Sequence, residues 1–227
     1  HGDVNGHDFW LEPNEQHGAG NCHIRHRDFV QVEVVNGHGV IVARNDWMAG
    51  DQRVCADERT WKFAADKDTR TIDFTIRLHA SDGDLTFGDT KEGTFSVRVA
   101  GSMKVDAALG GTVLNDSGDR NRQAWGKGAR WLDYTGPVDG ETVGIAIFSH
   151  PDNIRHPCRW HARQYGLYAA NPFGHHHFTD DPTAEPVQGA VTIDSGSTLT
   201  LRYRVLLHRG ELSPTELESA FALYTGN

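Results

Sequence analysis

At 227 residues the chain can form one large domain or two small ones. Hydrophobic residues are 37% of it and 25 glycines add to them, enough for a folded core, while the longest unbroken apolar run, Val143 to Phe148, falls far short of the ~20 residues a membrane helix needs. A net charge of −9 argues against nucleic acid and anionic membranes as partners.

Cysteines 22, 55 and 158 are far apart and form no C-x-x-C pair, so free thiols are expected rather than a disulfide framework or a thiolate zinc site. The chain opens at His1 without a methionine. A cytoplasmic location is expected, with a removed signal peptide left open.

Period-two alternation dominates the elements in chain order. Val30, Val32 and Val34 mark a first strand, which Asn36-Gly37 turns into a hairpin. After the Asp66-Lys67-Asp68 turn, Ile72, Phe74, Ile76, Leu78 and Ala80 alternate with polar residues as one face of a half-buried strand. Phe95, Val97 and Val99 repeat the pattern beyond the Ser81–Asp84 turn. Val143 to Phe148, after Asp139-Gly140, is apolar on both faces and predicts a central strand. Past the Asp194–Ser197 turn, Leu199, Leu201, Tyr203, Val205 and Leu207 form another alternating row. Ser213-Pro214-Thr215-Glu216 is a capping box, and Leu217, Ala220, Phe221 and Tyr224 follow at helical spacing. The expected fold is an all-β antiparallel sandwich with one C-terminal helix, as a single domain over residues 1–227.

Fourteen histidines gather in two places. His1, Asp3 and His7 open the chain, with His17, His23 and His26 beyond them. The segment from His150 to Gly174 starts where the central strand ends, so its polar groups emerge at the rim of a sheet. His150-Pro151 and His156-Pro157 stiffen its path. Arg155, Arg163, Asn153, Asn171 and Tyr165 offer hydrogen bonds for hydroxyls, and Trp160 offers a stacking face for a sugar. A loop that only knits itself to the sheet is the plain alternative, though ordered polar loops on rigid scaffolds commonly carry function.

A divalent metal is one option, with His150, His156 and His161 converging and Asp3 or Glu92 completing the set; the spacing is not that of a helical zinc motif. His175-His176-His177 is a surface tract able to take nickel or zinc opportunistically. In Gly88-Asp89-Thr90-Lys91-Glu92-Gly93 an acid and an amine share a tight turn, where a buried carboxylate would take a raised pKa and act as general acid or base. Were this turn strand-like, only one of Lys91 and Glu92 would reach the site. Glu58, Arg59 and Trp61 are expected on another strand lining the same face, and Trp131 and Leu132 in the core. Gly126-Lys127-Gly128 lacks the context of a nucleotide loop, and there is no G-x-S-x-G elbow.

HGDVNGHDFW, GDTKEG, WGKGARWLDYTGPVDG and HPDNIRHPCRWHARQYGLYAANPFG resemble the hallmarks of a bacterial family of unknown function, labelled the PmoA family or methane oxygenase PmoA, over nearly the whole chain. The membrane subunit which that label evokes does not fit a chain without a spanning segment. The resemblance implies a supersandwich of the galactose-mutarotase kind and a carbohydrate-catabolic setting, beside sugar dehydrogenases that make 3-keto sugars. Similar proteins carry further sequence, with another His-rich stretch, ahead of HGDVNG. If that stretch supplies strands, residues 1–227 lack them and a sheet edge stays open for a partner.

The expected function is that of a carbohydrate-active enzyme of lyase, hydrolase or isomerase type, acting on a sugar or 3-keto-glycoside by general acid–base chemistry. His150, His161, His1, Glu92 and Lys91 are the catalytic candidates; Arg163, Trp160, Asn153, Asn171, Arg155, Asp3 and Tyr165 are the binding candidates. A carbohydrate-binding protein without catalysis and a metal-dependent hydrolase or oxygenase are the alternatives. The expected partner is a small carbohydrate, with oligomer formation left open.

Overall fold

The computed structural model describes residues 1–12, 14–16, 20–178 and 189–226, so His17 lies outside the described residues. Four long strands come first: β1 (Cys22–Val35), β2 (His38–Ala49), β3 (Gln52–Ala65) and β4 (Thr69–His79). Short β5 (Leu85–Phe87), β6 (Phe95–Arg98) and β7 (Thr112–Asn115) follow, then β8 (Trp131–Val138) and β9 (Glu141–Ser149). Next are β10 (Arg159–Ala162), β11 (Leu167–Asn171), β12 (Val191–Ile193), β13 (Thr198–Arg209) and the helix α1 (Pro214–Thr225). Eight strands share one sheet in the order β1-β2-β3-β4-β13-β9-β8-β7; β10-β11-β6 and β12-β5 form two smaller ones. This is the expected all-β sandwich class with its C-terminal helix. No helix among the described residues is long and apolar enough to cross a membrane.

Local chemistry sets the hairpins. Asn36 and Gly37 adopt φ of 51° and 79°, which a two-residue hairpin turn between paired Val35 and His38 requires. Ser213 caps α1 as expected: its hydroxyl accepts from the Glu216 N–H, and Glu216 returns a bond to the Ser213 N–H.

By internal packing the chain divides into two compact units. The first holds His1–Lys62, Thr75–Thr94 and Asn171–Leu201; the second holds Phe63–Phe74, Phe95–Ala170 and Arg202–Asn227. The cuts fall inside β3, β4, β11 and β13 or directly before β6, and so no linker in the sequence marks them.

In the first unit residues 1–7 run beside β5, through the Val4–Phe87 bridge and the bond from the Asn5 N–H to Thr86 O, and β12 pairs on the other side of β5. This small layer lies on the sheet face that carries Trp47. The rings of Phe9, Trp47, Phe87 and Phe173 form a continuous series with centroids 4.9 to 6.3 Å apart. Beyond that cover the β1–β2 arm is bare: Val30, Val32 and Val34, expected to be half-buried, are exposed, because the described covering layer stops short of them.

In the second unit β9 is the central strand the sequence predicts, hydrogen-bonded to β8 and to β13. Ala146 and Phe148 point to α1, where Leu217 and Phe221 pack with Trp131 and Leu206. On the other face lies the three-stranded sheet. Tyr168 hydroxyl donates to Ile145 O at 2.6 Å, and Phe95 stacks on Tyr203 at 4.7 Å. Trp131 and Leu132 are core residues, and all three cysteines are free and buried.

Candidate functional site

The sequence-predicted residues fall in both units. His1, Asp3, Lys91, Glu92 and Asn171 belong to the first, and Asn153, Arg155, Trp160, Arg163, Tyr165 and histidines 150 and 161 to the second.

In the first unit the N-terminal segment is sewn to the 88–92 turn. The Gly2 N–H donates to Glu92 O at 2.8 Å, the Gly88 N–H to Asp3 O at 2.8 Å, and His1 Nε2 meets Gly88 O at 3.0 Å. The His1 imidazole is wedged edge-on between Phe87 and Phe173. Its Nδ1 is buried without a hydrogen-bond partner among the described residues and faces Gly93, where an added Cβ would lie 2.3 Å away. This ring acts as a packing wedge that shapes the turn. Asp3 Oδ1 accepts the Gly6 N–H, closing its own turn. Asn171 is fully committed to structure: its Nδ2 donates to Thr90 O, and its Oδ1 accepts from Phe173 and Gly174.

The 88–94 turn is not a strand, so the alternation that would separate Lys91 from Glu92 does not operate. Lys91 Nζ lies 3.1 Å from Glu92 Oε1, with both side chains about a third exposed, at 37% and 28%. The Thr90 hydroxyl donates to Glu92 Oε2 at 2.7 Å. Burial pushes the Glu92 carboxyl up, but the Thr90 hydroxyl and the Lys91 ammonium outweigh it, and the group lies below its ordinary value. Glu92 is therefore an ionised carboxylate able to act as a base, without the raised pKa the sequence suggested.

The first unit also holds a buried carboxylate that sequence reasoning missed. Asp57 accepts from Asn45 Nδ2 at 2.6 Å and Trp47 Nε1 at 2.7 Å, and Arg59 Nη2 reaches it at 2.7 Å. Arg59 uses Nε and Nη2 on Asp57 and remains 22% exposed. Alternation puts Trp61 on the Arg59 face and Glu58 on the opposite one, where Glu58 pairs with Arg44 and Arg77 instead of lining the site. Trp47, bonded to Asp57, meets the Phe87 ring edge-on at 6.3 Å, directly ahead of the 88–92 turn. The Asp57-x-Arg59 spacing was the available signal, since residues two apart on a strand share a face.

In the second unit the histidines do not converge. His150 Nδ1 accepts the Asp152 N–H at 3.1 Å, and its ring stands edge-on to Tyr224 of α1. Burial pulls its imidazole below the ordinary value, against the opposing charge of Asp152. His156 stacks on Phe221, lowered first by burial and then by Arg130 and His150. His161 is buried, and its Nε2 accepts from Arg163 Nε at 2.6 Å; Arg163 also lies over the Trp125 ring. Trp160 is fully buried with Nε1 donating to Ala129 O, so its ring packs in the core. Asn153 ties Ser149 to Arg202, and Tyr165 lies exposed under the Arg98 guanidinium. Arg155 sits at φ 55° in the tight turn between the two prolines.

His208 and Asp133, both buried, were also missed. His208 Nε2 lies 3.1 Å from Asp133 Oδ1 on the wall of a groove of about 500 Å³ lined by Met103, Val143, Ile145 and Leu207. Gly144, inside the apolar run, was the signal: a Cβ there would lie 2.2 Å from the imidazole. Among the described residues no three His, Cys, Asp or Glu side chains gather to hold a metal ion.

A search of curated proteins returns no match. The sequence model of a family of unknown function, DUF6807, matches residues 1–222, nearly the whole chain, and the protein belongs to that family.

Proposed function

We propose that the protein acts on a carbohydrate carrying a carbonyl group, such as a 3-keto-glycoside, with Glu92 as the base and Lys91 as the stabiliser of the developing oxyanion. The observation that carries this reading is the partly exposed Lys91–Glu92 pair, held ionised by Thr90 on the same unit as Arg59. A fixed carboxylate next to a fixed ammonium suits proton removal from carbon beside a carbonyl.

In that step Glu92 takes the proton, the C–H electron pair moves into the carbonyl, and the resulting enolate oxygen is held by Lys91 and Arg59. Return of a proton to the same carbon from the opposite face is an epimerisation. Where that carbon bears a hydroxyl, the enolate oxygen takes a proton to give an enediol, the α-hydroxyl gives up its own, and protonation of the former carbonyl carbon shifts the carbonyl, an isomerisation. Expulsion of a β-substituent with its bonding pair is a lyase reaction. Trp61, on the Arg59 face of the strand, supplies the aromatic surface for the sugar. The resemblance of the sequence to mutarotase-like supersandwich proteins supports the carbohydrate class.

The test is proton NMR of the protein in D2O with pooled sugars, glycosides and 3-keto-glycosides. Exchange of a proton beside the carbonyl, or new product resonances, is expected, and Glu92→Gln abolishes it. Ligand line broadening without exchange or product would leave a binding protein instead, and silence would defeat the carbohydrate reading.

A further inference from the structure

β1 is the terminal strand of the eight-stranded sheet and is hydrogen-bonded on one side, to β2. The opposite edge is the four-residue β7, whereas β1 runs for fourteen residues. Among the described residues only the start of its outer edge is capped: Gln16 Oε1 takes the Cys22 N–H at 2.6 Å, and Gln16 Nε2 donates to Cys22 O at 2.7 Å. Among the described residues the strand beyond that cap keeps a free row of backbone donors and acceptors. Long open edges of this kind are templates for pairing with another strand.

The side chains along β1 are suited to one such strand, β1 itself. Its first half is basic, with His23, Arg25, His26 and Arg27; its second half carries Glu33 among the exposed apolar residues Phe29, Val30, Val32 and Val34. Antiparallel pairing about Phe29 sets Arg25 opposite Glu33 twice by symmetry, and Ile24 opposite Val34.

This register also respects the sheet faces. Pairing with Asp46 and Val40 of β2 puts Arg25 and Glu33 on one face; pairing with Trp47 and Gly39 puts Ile24 and Val34 on the other, despite the two bulges between them. Cys22 and, past the two-residue turn, Val32 and Val34 direct their backbone groups outward, so the unpaired rows meet in phase. Arg25 contacts Asp46 and Glu33 accepts from the Gln31 amide, yet Arg25 remains largely exposed.

We infer that two copies of this chain join edge to edge through β1, extending the large sheet across a two-fold axis. An isologous contact closes on itself, so the product is a dimer and not a filament.

Sedimentation velocity of the purified chain tests this. A species of twice the 25.1 kDa chain mass is expected, dissociating on dilution. Val32→Lys, and separately Arg25→Glu or Glu33→Arg, each shift it to monomer while circular dichroism stays that of the parent. Mixing the Arg25→Glu and Glu33→Arg proteins restores a dimer, because each then meets the opposite charge on its partner. A monomer at every concentration, an open-ended assembly, or a dimer indifferent to these substitutions would overturn the inference.

Discussion

Arg163 Nε lies 2.6 Å from His161 Nε2. A guanidinium stays protonated at any pH the protein survives, so Nε2 must be the unprotonated nitrogen and the imidazole is held as its Nδ1–H tautomer. The pair fixes the geometry at the end of β10, past the last histidine of the His150–His161 segment. Nitrogen-15 NMR should show a single His161 tautomer, and Arg163→Ala should produce a mixture. An unchanged spectrum in that variant would remove the pair as the cause.

Glu92 gives the sharpest functional expectation. Glu92→Gln keeps the shape of the turn and removes the base, and should lower kcat by about 10²–10⁴-fold with little change in KM. Thr90→Val deletes the hydroxyl donor that holds the carboxyl down. The acidic limb of the pH profile should then move to higher pH, a shift a purely structural role for Thr90 would not produce.

His208 governs part of the pH dependence of stability. Burial lowers its imidazole, but the hydrogen bond and charge of Asp133, with the Gly210 and Arg209 backbone, raise it above 6.5 overall. A raised folded value means that this stabilisation is fully present below pH 6.5 and lost as pH rises through the folded value. His150 and His156 are lowered and act oppositely, weakening the fold as pH falls below 6.5. Urea unfolding of His208→Gln against the parent should differ most at low pH and converge at high pH. Asp133→Asn, which breaks the buried pair, should cost about 3–5 kcal/mol.

Gly93 is required by a close approach. Its Cα faces the buried His1 Nδ1, and a Cβ would sit 2.3 Å from that atom. Gly93→Ala should destabilise the protein by about 1–3 kcal/mol in chemical denaturation and displace the Lys91–Glu92 turn. A variant that unfolds at the parent's urea midpoint would show that His1 has room to move.

The fold was readable where one local rule acts alone. Ile72 to Ala80 alternate because one face of the strand is covered, as do Leu199 to Val205 until α1 covers Leu206 on the other face, and Ser213 to Glu216 form a capping box whatever α1 packs against. Val32 and Val34 misled for the same reason: alternation reports that a face is apolar, not that anything described lies on it. Lys91 and Glu92 misled in the opposite sense, since a turn outside the pleat let neighbours point the same way.

The candidate site was legible only as a set of suspects. The GDTKEG turn and the His-rich segment stood out by composition, and the turn does carry a paired acid and amine. Composition could not say that Trp160 and His1 fill the core, or that Asp57 and Arg59 stand on the sheet face beside that turn. Residue type and spacing are properties of a few neighbours along the chain, and they determined the alternating strands, the Asn36-Gly37 hairpin and the capped helix. Exposure, protonation and partnership depend on residues tens of positions away, such as Gly144 beside His208 or Gly93 beside His1, and the folded chain alone decided them.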